Sequence, residues 1–360
     1  MCHKKLILRL DIICINNLAL KSNSKHLLFT FDYELYLGHD SGSVAKCLIE
    51  PTNALFTVLE NYGCKGILFV DTTYLLRLQT INNANAQYDY ESICAQLQFL
   101  HRNGWEIHIH LHPHWNKATY SENTNTWQLT NYTNYRLHTL NINTVNTLVQ
   151  QSQALLSTIL AAPIAQFDCY RAGGWSIQPF EFLVETFKRN NIKYDFSCLN
   201  KHVNLNEDFY YDYSTVVEQH IYRFEDDITA INKNGAFVEL SISAWQRPNS
   251  KWFNFKSKLV NKLLWKLGYT TWGDGQAAKT PHNNTKLVTN NYEMVSVELL
   301  TMFNLKCYCK FIKNNNYMQF ISHSKMVNKH NLTILNLFLK HVSSNYTINT
   351  NFRKISEIND

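Results

Sequence analysis

No stretch of the sequence has the ~18 uncharged apolar residues that a membrane-spanning helix needs, so none is expected. Its nine cysteines include no C-x-x-C pair, and Cys307 and Cys309 lie too close for an easy bridge. A disulfide framework is therefore not expected, and a reducing, cytoplasmic setting is. The start, with Lys4 and Lys5 before L-I-L-R-L-D-I-I-C-I, is interrupted by Arg9 and Asp11 and followed by no small-residue cleavage site. It is not read as a secretory signal. Lysine and arginine are dispersed despite a net charge of +6, and no basic run is interleaved with aromatics, which argues against a nucleic-acid partner. Glycine and proline are scarce, at 11 and 6 of 360 residues. No internal repeat is visible.

What the chain does have is a histidine strand. Trp105 to Trp115 reads W-E-I-H-I-H-L-H-P-H-W. His108, His110, His112 and His114 alternate, with Ile107, Ile109 and Leu111 between the first three. Period-two alternation is the strand signature. One face is then apolar, the other is imidazole, and Pro113 ends the ladder. Neutral imidazole is a common ligand for transition metals, so a metal site is expected here.

Before this strand, His26 to Glu34 (H-L-L-F-T-F-D-Y-E) sets Phe29, Phe31 and Tyr33 on one face. Thr30, Asp32 and Glu34 fall on the other. Gly66 to Asp71 is a continuous apolar run suited to a strand buried on both faces. Further strands are expected over Gln166 to Arg171, Lys193 to Ser197, Gly235 to Ser243 and Tyr317 to Ser322. Helices are expected over Pro51 to Tyr62, Glu91 to Arg102, Leu140 to Leu160, Pro179 to Asn190, Ser296 to Lys310 and Asn328 to Val342. Asn116 to Arg136 reads as a polar surface loop, and Lys251 to Lys266 as a basic, solvated helix face. Strands alternating with helices imply an α/β protein with a mainly parallel sheet, open or closed into a barrel. Asp32, Glu34, the histidines, Arg171 and His323 all lie at strand C-terminal ends, the rim where such barrels carry their chemistry.

A carboxylate with two imidazoles is a facial set for a divalent metal with open positions. A second carboxylate serves as a base, a histidine as an acid, and an arginine keeps the base ionised. The Gly173-Gly174 turn offers backbone N–H groups to an oxyanion. These parts describe metal-assisted hydrolysis of an amide or ester.

T-F-D-Y-E (Thr30 to Glu34), the His-x-x-x-His spacing after Gly104-Trp105-Glu106-Ile107, R-A-G-G-W (Arg171 to Trp175) and I-S-H-S-K (Ile321 to Lys325) follow one another in order. With them the chain resembles the polysaccharide deacetylases, carbohydrate esterase family 4. It is most similar to a divergent branch associated with surface-polysaccharide and O-antigen biosynthesis. The resemblance implies a distorted (β/α) barrel with fewer than eight strands, here spanning residues 26–345 between an N-terminal tail or edge element (1–25) and a C-terminal tail (346–360). It makes Asp32 the base, Arg171 its orienting partner and His323 the general acid. It makes Glu34, His110 and His114 the ligands of a divalent metal, most simply zinc, with His108 and His112 as the alternative pair. The family usually has a second Asp directly after the base. Tyr33 stands there, and Glu34 is the substitute. Asp195 corresponds to the residue that braces the arginine.

The implied reaction is removal of an N-acetyl or O-acetyl group from a sugar, nucleotide sugar or glycan. Trp115, Trp127, Gly173, Gly174 and Trp175 are then expected at the substrate groove. Two other readings compete. An amidohydrolase-type barrel is disfavoured because its His-x-His belongs on the first strand, which here carries acids. A catalytically degenerate barrel that binds glycans is kept open by Tyr33.

Overall fold

The computed structural model describes residues 24–216, 220–248, 251–276 and 291–356. The expected N-terminal element at 1–25 lies outside them except for Ser24 and Lys25, which begin the first strand. Nine strands form one sheet. They are β1 (Ser24–Tyr33), β2 (Gly66–Asp71), β3 (Glu106–Leu111), β4 (Cys169–Ala172) and β5 (Tyr194–Asp195). β6 (Ile221–Phe224), β7 (Phe237–Leu240), β8 (Tyr317–His323) and β9 (Thr347–Asn349) complete it. The order is β6-β7-β5-β4-β3-β2-β1-β8, with β9 also paired to β1. Every pairing is parallel except β6 with β7.

The sheet curls into a half-barrel. After β7 the chain turns against β8, where Tyr317 Oη donates to the Ser241 carbonyl at 3.3 Å and Ile321 N–H to the Val295 carbonyl at 3.0 Å. Val295 N–H donates to the Ser243 carbonyl at 2.8 Å. Side-chain and loop contacts thus replace a regular ladder at this seam. The expectation of fewer than eight strands is corrected, because the path itself holds eight. The added strand, β6, is an antiparallel edge strand that the short I-Y-R-F segment gave no periodic signal for.

Alternation along β1 divides the interior into two cores. Phe29, Phe31 and Tyr33 pack outward under the helices, and the Tyr33 hydroxyl donates to Gln96 Oε1 at 2.7 Å. The helices include α1 (Glu50–Glu60), α2 (Thr72–Leu78), α3 (Ala84–Arg102), α4 (Ile142–Leu160), α5 (Leu305–Asn314) and α6 (Lys329–Asn345). α3 starts earlier than its apolar spacing predicts because the Asn83 side chain caps it. Inside the barrel, Leu28, Ile67, Phe69, Phe196, Val238 and Leu240 form a smaller cluster with Phe352 and Ile355. The end of the chain is therefore not simply a polar tail. β9 extends the sheet, and Phe352 is wholly buried beneath it.

Candidate metal and catalytic site

Parallel registration brings the polar groups to one rim. β1 pairs Asp32 with His323 of β8, β2 pairs Asp71 with His110, and β3 pairs His110 with Arg171 of β4. These strands are buried on both faces, so any polar side chain there must find partners within the protein.

Arg171 is fully buried. Its Nη1 donates to Asp32 Oδ1 at 2.7 Å, its Nη2 to Thr30 Oγ1 at 2.7 Å and its Nε to the Phe196 carbonyl at 3.0 Å. The guanidinium also lies 4.3 Å over the Phe69 ring. Burial works against the Asp32 carboxylate, but Arg171, then His110 and His323, hold its pKa below the ordinary value. Asp195 does not touch this arginine by a hydrogen bond. Its carboxylate accepts from Ser197 N–H at 2.8 Å, and Arg171 is braced instead by the main chain of the next residue. Burial lifts Asp195 to about 6, against a hydrogen bond from Glu239 that lowers it, and burial together with the Asp195 charge lifts Glu239 well above its ordinary value.

Glu34 gathers the rest. His110 Nε2 stands 3.2 Å and His112 Nε2 2.8 Å from its Oε2, while Lys325 Nζ donates to Oε1 at 2.7 Å. Burial opposes the Glu34 charge, yet Lys325 and the two imidazoles hold the carboxyl well below its usual range. His110 Nδ1 lies 2.8 Å from the Arg171 carbonyl, which only accepts, so Nδ1 carries a proton. That leaves the Nε2 lone pair facing a carboxylate oxygen unless a proton or a metal ion lies between them. Without the ion, burial disfavours the imidazolium, but Asp32, Glu34 and Asp71 raise His110 above its ordinary pKa. One ligand atom from each of Glu34, His110 and His112 lies within 4.8 Å of the others, and all three residues are buried. This donor set fits a divalent transition metal.

The structure gathers His112 in place of His114. His110 in β3 and His112 just after it both reach Glu34, whereas Pro113 starts a 3₁₀ turn that carries His114 away. The His114 ring stacks on Tyr135 at 5.0 Å, and burial, with His112 alongside, lowers its pKa well below the ordinary value. His108, one alternation deeper, bonds Glu106 at 3.0 Å and lies with Asp168 and Cys169.

His323 closes the site. Its Nε2 is 3.6 Å from Asp32 Oδ2 and 3.7 Å from Glu34 Oε1. Its Nδ1 faces Glu298 Oε1 at 3.3 Å, and its backbone N–H donates to Glu298 Oε2 at 2.7 Å. Burial lowers its pKa, but Glu298 above all, then Glu34 and Asp32, push it up to about 9.

Glu34, Glu298, His323 and Lys325 open on a cleft of 390 Å³ walled by Tyr36, Tyr132, Tyr135, Trp175, Phe209 and Tyr211. Of the groove residues expected from sequence, Gly174 and Trp175 line it. Gly173 packs against the site from behind, where a Cβ would fall 2.6 Å from the Leu111 carbonyl and 2.7 Å from His112 Nδ1. Trp115 and Trp127 are corrected to core residues, 0% and 1% exposed. Trp115 donates through Nε1 to Asp71, and Trp127 stands edge-on to it at 5.7 Å. The segment 116–136 folds inward through the hairpin Thr119–Ser121 and Thr126–Gln128, which buries Trp127. Glu298 and the role of Lys325 were not foreseen. Glu298 comes from a loop within the stretch 296–310 that was expected to be one helix and whose helix begins only at Leu305, whereas Lys325 stands two residues after His323 on the same strand exit.

No family model and no curated protein matches this chain. Among solved structures it is similar to 4-alpha-glucanotransferase from Thermococcus litoralis, with a TM-score of 0.50, 11% identity, and coverage of 93% of this chain and 40% of that one. That likeness is one of fold. The neighbours also include a candidate polysaccharide deacetylase from Mycobacterium smegmatis (TM-score 0.47, 13% identity, 96% of this chain and 92% of that one). A third is the catalytic domain of a peptidoglycan N-acetylglucosamine deacetylase from Eubacterium rectale (TM-score 0.33, 11% identity, 95% and 94%). Among the described residues, no helix is long and apolar enough to cross a membrane.

Proposed function

We propose that the protein is a metal-dependent carbohydrate deacetylase, acting on an N-acetyl or O-acetyl group of a sugar, nucleotide sugar or glycan in surface-polysaccharide biosynthesis. A shared fold does not decide chemistry, and the reading rests on the site. The observation that carries it is the His323 Nε2 within 3.7 Å of both Asp32 and Glu34, with Asp32 and His323 each held by its own countercharge. Glu34, His110 and His112 would hold the ion. A divalent ion there, most simply zinc, would supply polarisation of the acyl oxygen and a more acidic water. Arg171 occupies Asp32 Oδ1, which leaves Oδ2 to accept the water's proton. Glu298 keeps His323 charged, with Nε2–H turned toward Asp32 and Glu34 and ready to protonate the departing amine or alkoxide. The Gly173-Gly174 turn offers backbone N–H groups to the developing oxyanion. The six aromatic walls suit the C–H faces of sugar rings.

Incubation of zinc-loaded protein with a panel of N- and O-acetylated nucleotide sugars and glycans, with released acetate as the readout, tests this. Acetate released by the wild type and not by Asp32→Asn supports the reading. Stoichiometric metal with no release from any class overturns it. The Lys325 ammonium, already paired with Glu34, favours a second reading in which the lysine takes the cation's place and the barrel binds glycans without turnover. Glycan binding without metal uptake supports that alternative.

A further inference from the structure

The helix Lys251–Lys266 takes no part in the site, yet it and the residue after it carry four large apolar side chains that are exposed. Its sequence holds five lysines and no acidic residue. Phe255, Leu259, Leu263 and Leu267 recur every four residues and are 56%, 54%, 54% and 59% exposed. Such spacing draws one stripe along a helix. Lys258, Lys262 and Lys266 follow the same spacing one row over and are exposed as well. Val260 and Leu264, beside this stripe, are half-buried. The sequence alone suggested a solvated face, but a solvated face does not place a row of leucines in water.

We infer that this helix is an in-plane docking element for an anionic lipid surface. The chemistry selects the occupant. An apolar stripe flanked by lysines, on a helix that does not span a bilayer, matches the boundary between acyl chains and anionic headgroups. The helix ends at Gly268, whose φ of +80° closes its last turn. The chain then runs directly to the cleft rim. Trp272 N–H donates to the Val327 carbonyl at 3.0 Å and Gly273 N–H to the Lys325 carbonyl at 2.9 Å. Ser43 N–H donates to Asp274 Oδ1 at 2.8 Å. A Cβ on Gly273 would meet Tyr36 at 2.6 Å. Tyr36 and Lys325 both line the cleft, so a lipid surface held by the helix lies near its mouth. The inference does not depend on the reaction proposed above.

Cosedimentation of the intact chain tests it, using vesicles of equal parts phosphatidylglycerol and phosphatidylcholine against vesicles of phosphatidylcholine alone. Binding to the anionic vesicles at low salt is expected, weakening as salt rises. Lys258→Gln, Lys262→Gln and Lys266→Gln should each lower partitioning about fivefold. The double variant Leu259→Glu/Leu263→Glu should abolish binding while keeping the wild-type melting temperature, since both residues are exposed. Failure to bind anionic vesicles at low salt overturns the inference, as does equal binding to both kinds of vesicle or undiminished binding by the leucine variant. If light scattering finds a dimer that the leucine variant dissociates, and vesicles capture neither, the face belongs to a second copy of the chain and the inference is likewise overturned.

Discussion

Asp32 and His323 are cross-strand partners, one next to last in β1 and the other closing β8, with His323 Nε2 standing 3.6 Å from Asp32 Oδ2. Each has a separate anchor, Arg171 for the carboxylate and Glu298 for the imidazole. Opposite proton states are thereby stabilised side by side, as a base and an acid in one reaction require. Asp32→Asn should retain metal and lose nearly all turnover, because an amide does not accept the proton. His323→Ala should slow amide hydrolysis by about 10²–10⁴-fold. It should slow an ester with a good leaving group far less, since that group needs little protonation. Loss of metal from His323→Ala, or equal slowing of both substrates, would remove the acid role.

The two histidines flanking Pro113 should separate in a metal titration. His112→Ala removes an imidazole 2.8 Å from Glu34 Oε2, and zinc affinity should fall by at least about 100-fold, as for loss of a direct ligand or its close partner. His114→Ala removes a ring stacked on Tyr135, so it should cost stability and leave zinc affinity within a few fold. Elemental analysis after dialysis checks both. The reverse pattern would return the ligand role to His114.

The sequence revealed the parts of the site that stand on strands. Asp32, Arg171 and His323 each stand at the last or next-to-last position of a strand, where alternation fixes which face a side chain takes. His112 was harder, because counting from Gly104 treats the whole W-E-I-H-I-H-L-H-P-H-W stretch as one element. In the fold, β3 stops at Leu111 and the 3₁₀ turn redirects His114. Trp127 misled for a related reason. It lies in a polar segment, and only the hairpin that folds over it reveals its burial. Glu298 was not legible, because the stretch 296–310 reads as one helix, whereas in the fold the helix starts at Leu305 and leaves Glu298 in a loop alongside β8.

Trp127 and Trp175 should respond differently to truncation. Trp127 is buried against Trp115, Tyr74 and Tyr120. Trp127→Ala should cost about 3–5 kcal/mol in a urea melt, with KM for an accepted substrate little changed in the protein that stays folded. Trp175 lines the cleft, so Trp175→Ala should raise KM more than it lowers kcat. An unchanged KM for Trp175→Ala would remove it from the substrate wall.

The charge on His323 carries a pH signature in the metal-free protein. Its folded pKa is about 9 against an ordinary 6.5, so the folded state binds this proton more tightly than the unfolded chain does. Below 6.5 both states are protonated, and the stabilising contribution is fully present. Between 6.5 and 9 the unfolded chain has lost its proton while the folded protein still binds one, so the contribution shrinks as pH rises and is gone above 9. His110, also raised, acts with the same sign. His114 is lowered, so its effect has the opposite sign and is complete before this window begins. Urea melts across the interval should therefore show the wild type losing stability with rising pH, and His323→Gln losing less. Glu298→Gln removes the largest of the charges that raise His323, so the loss should still begin near 6.5 but be smaller and end at lower pH. Parallel curves for wild type and His323→Gln would place the proton elsewhere and leave Glu298 without its role.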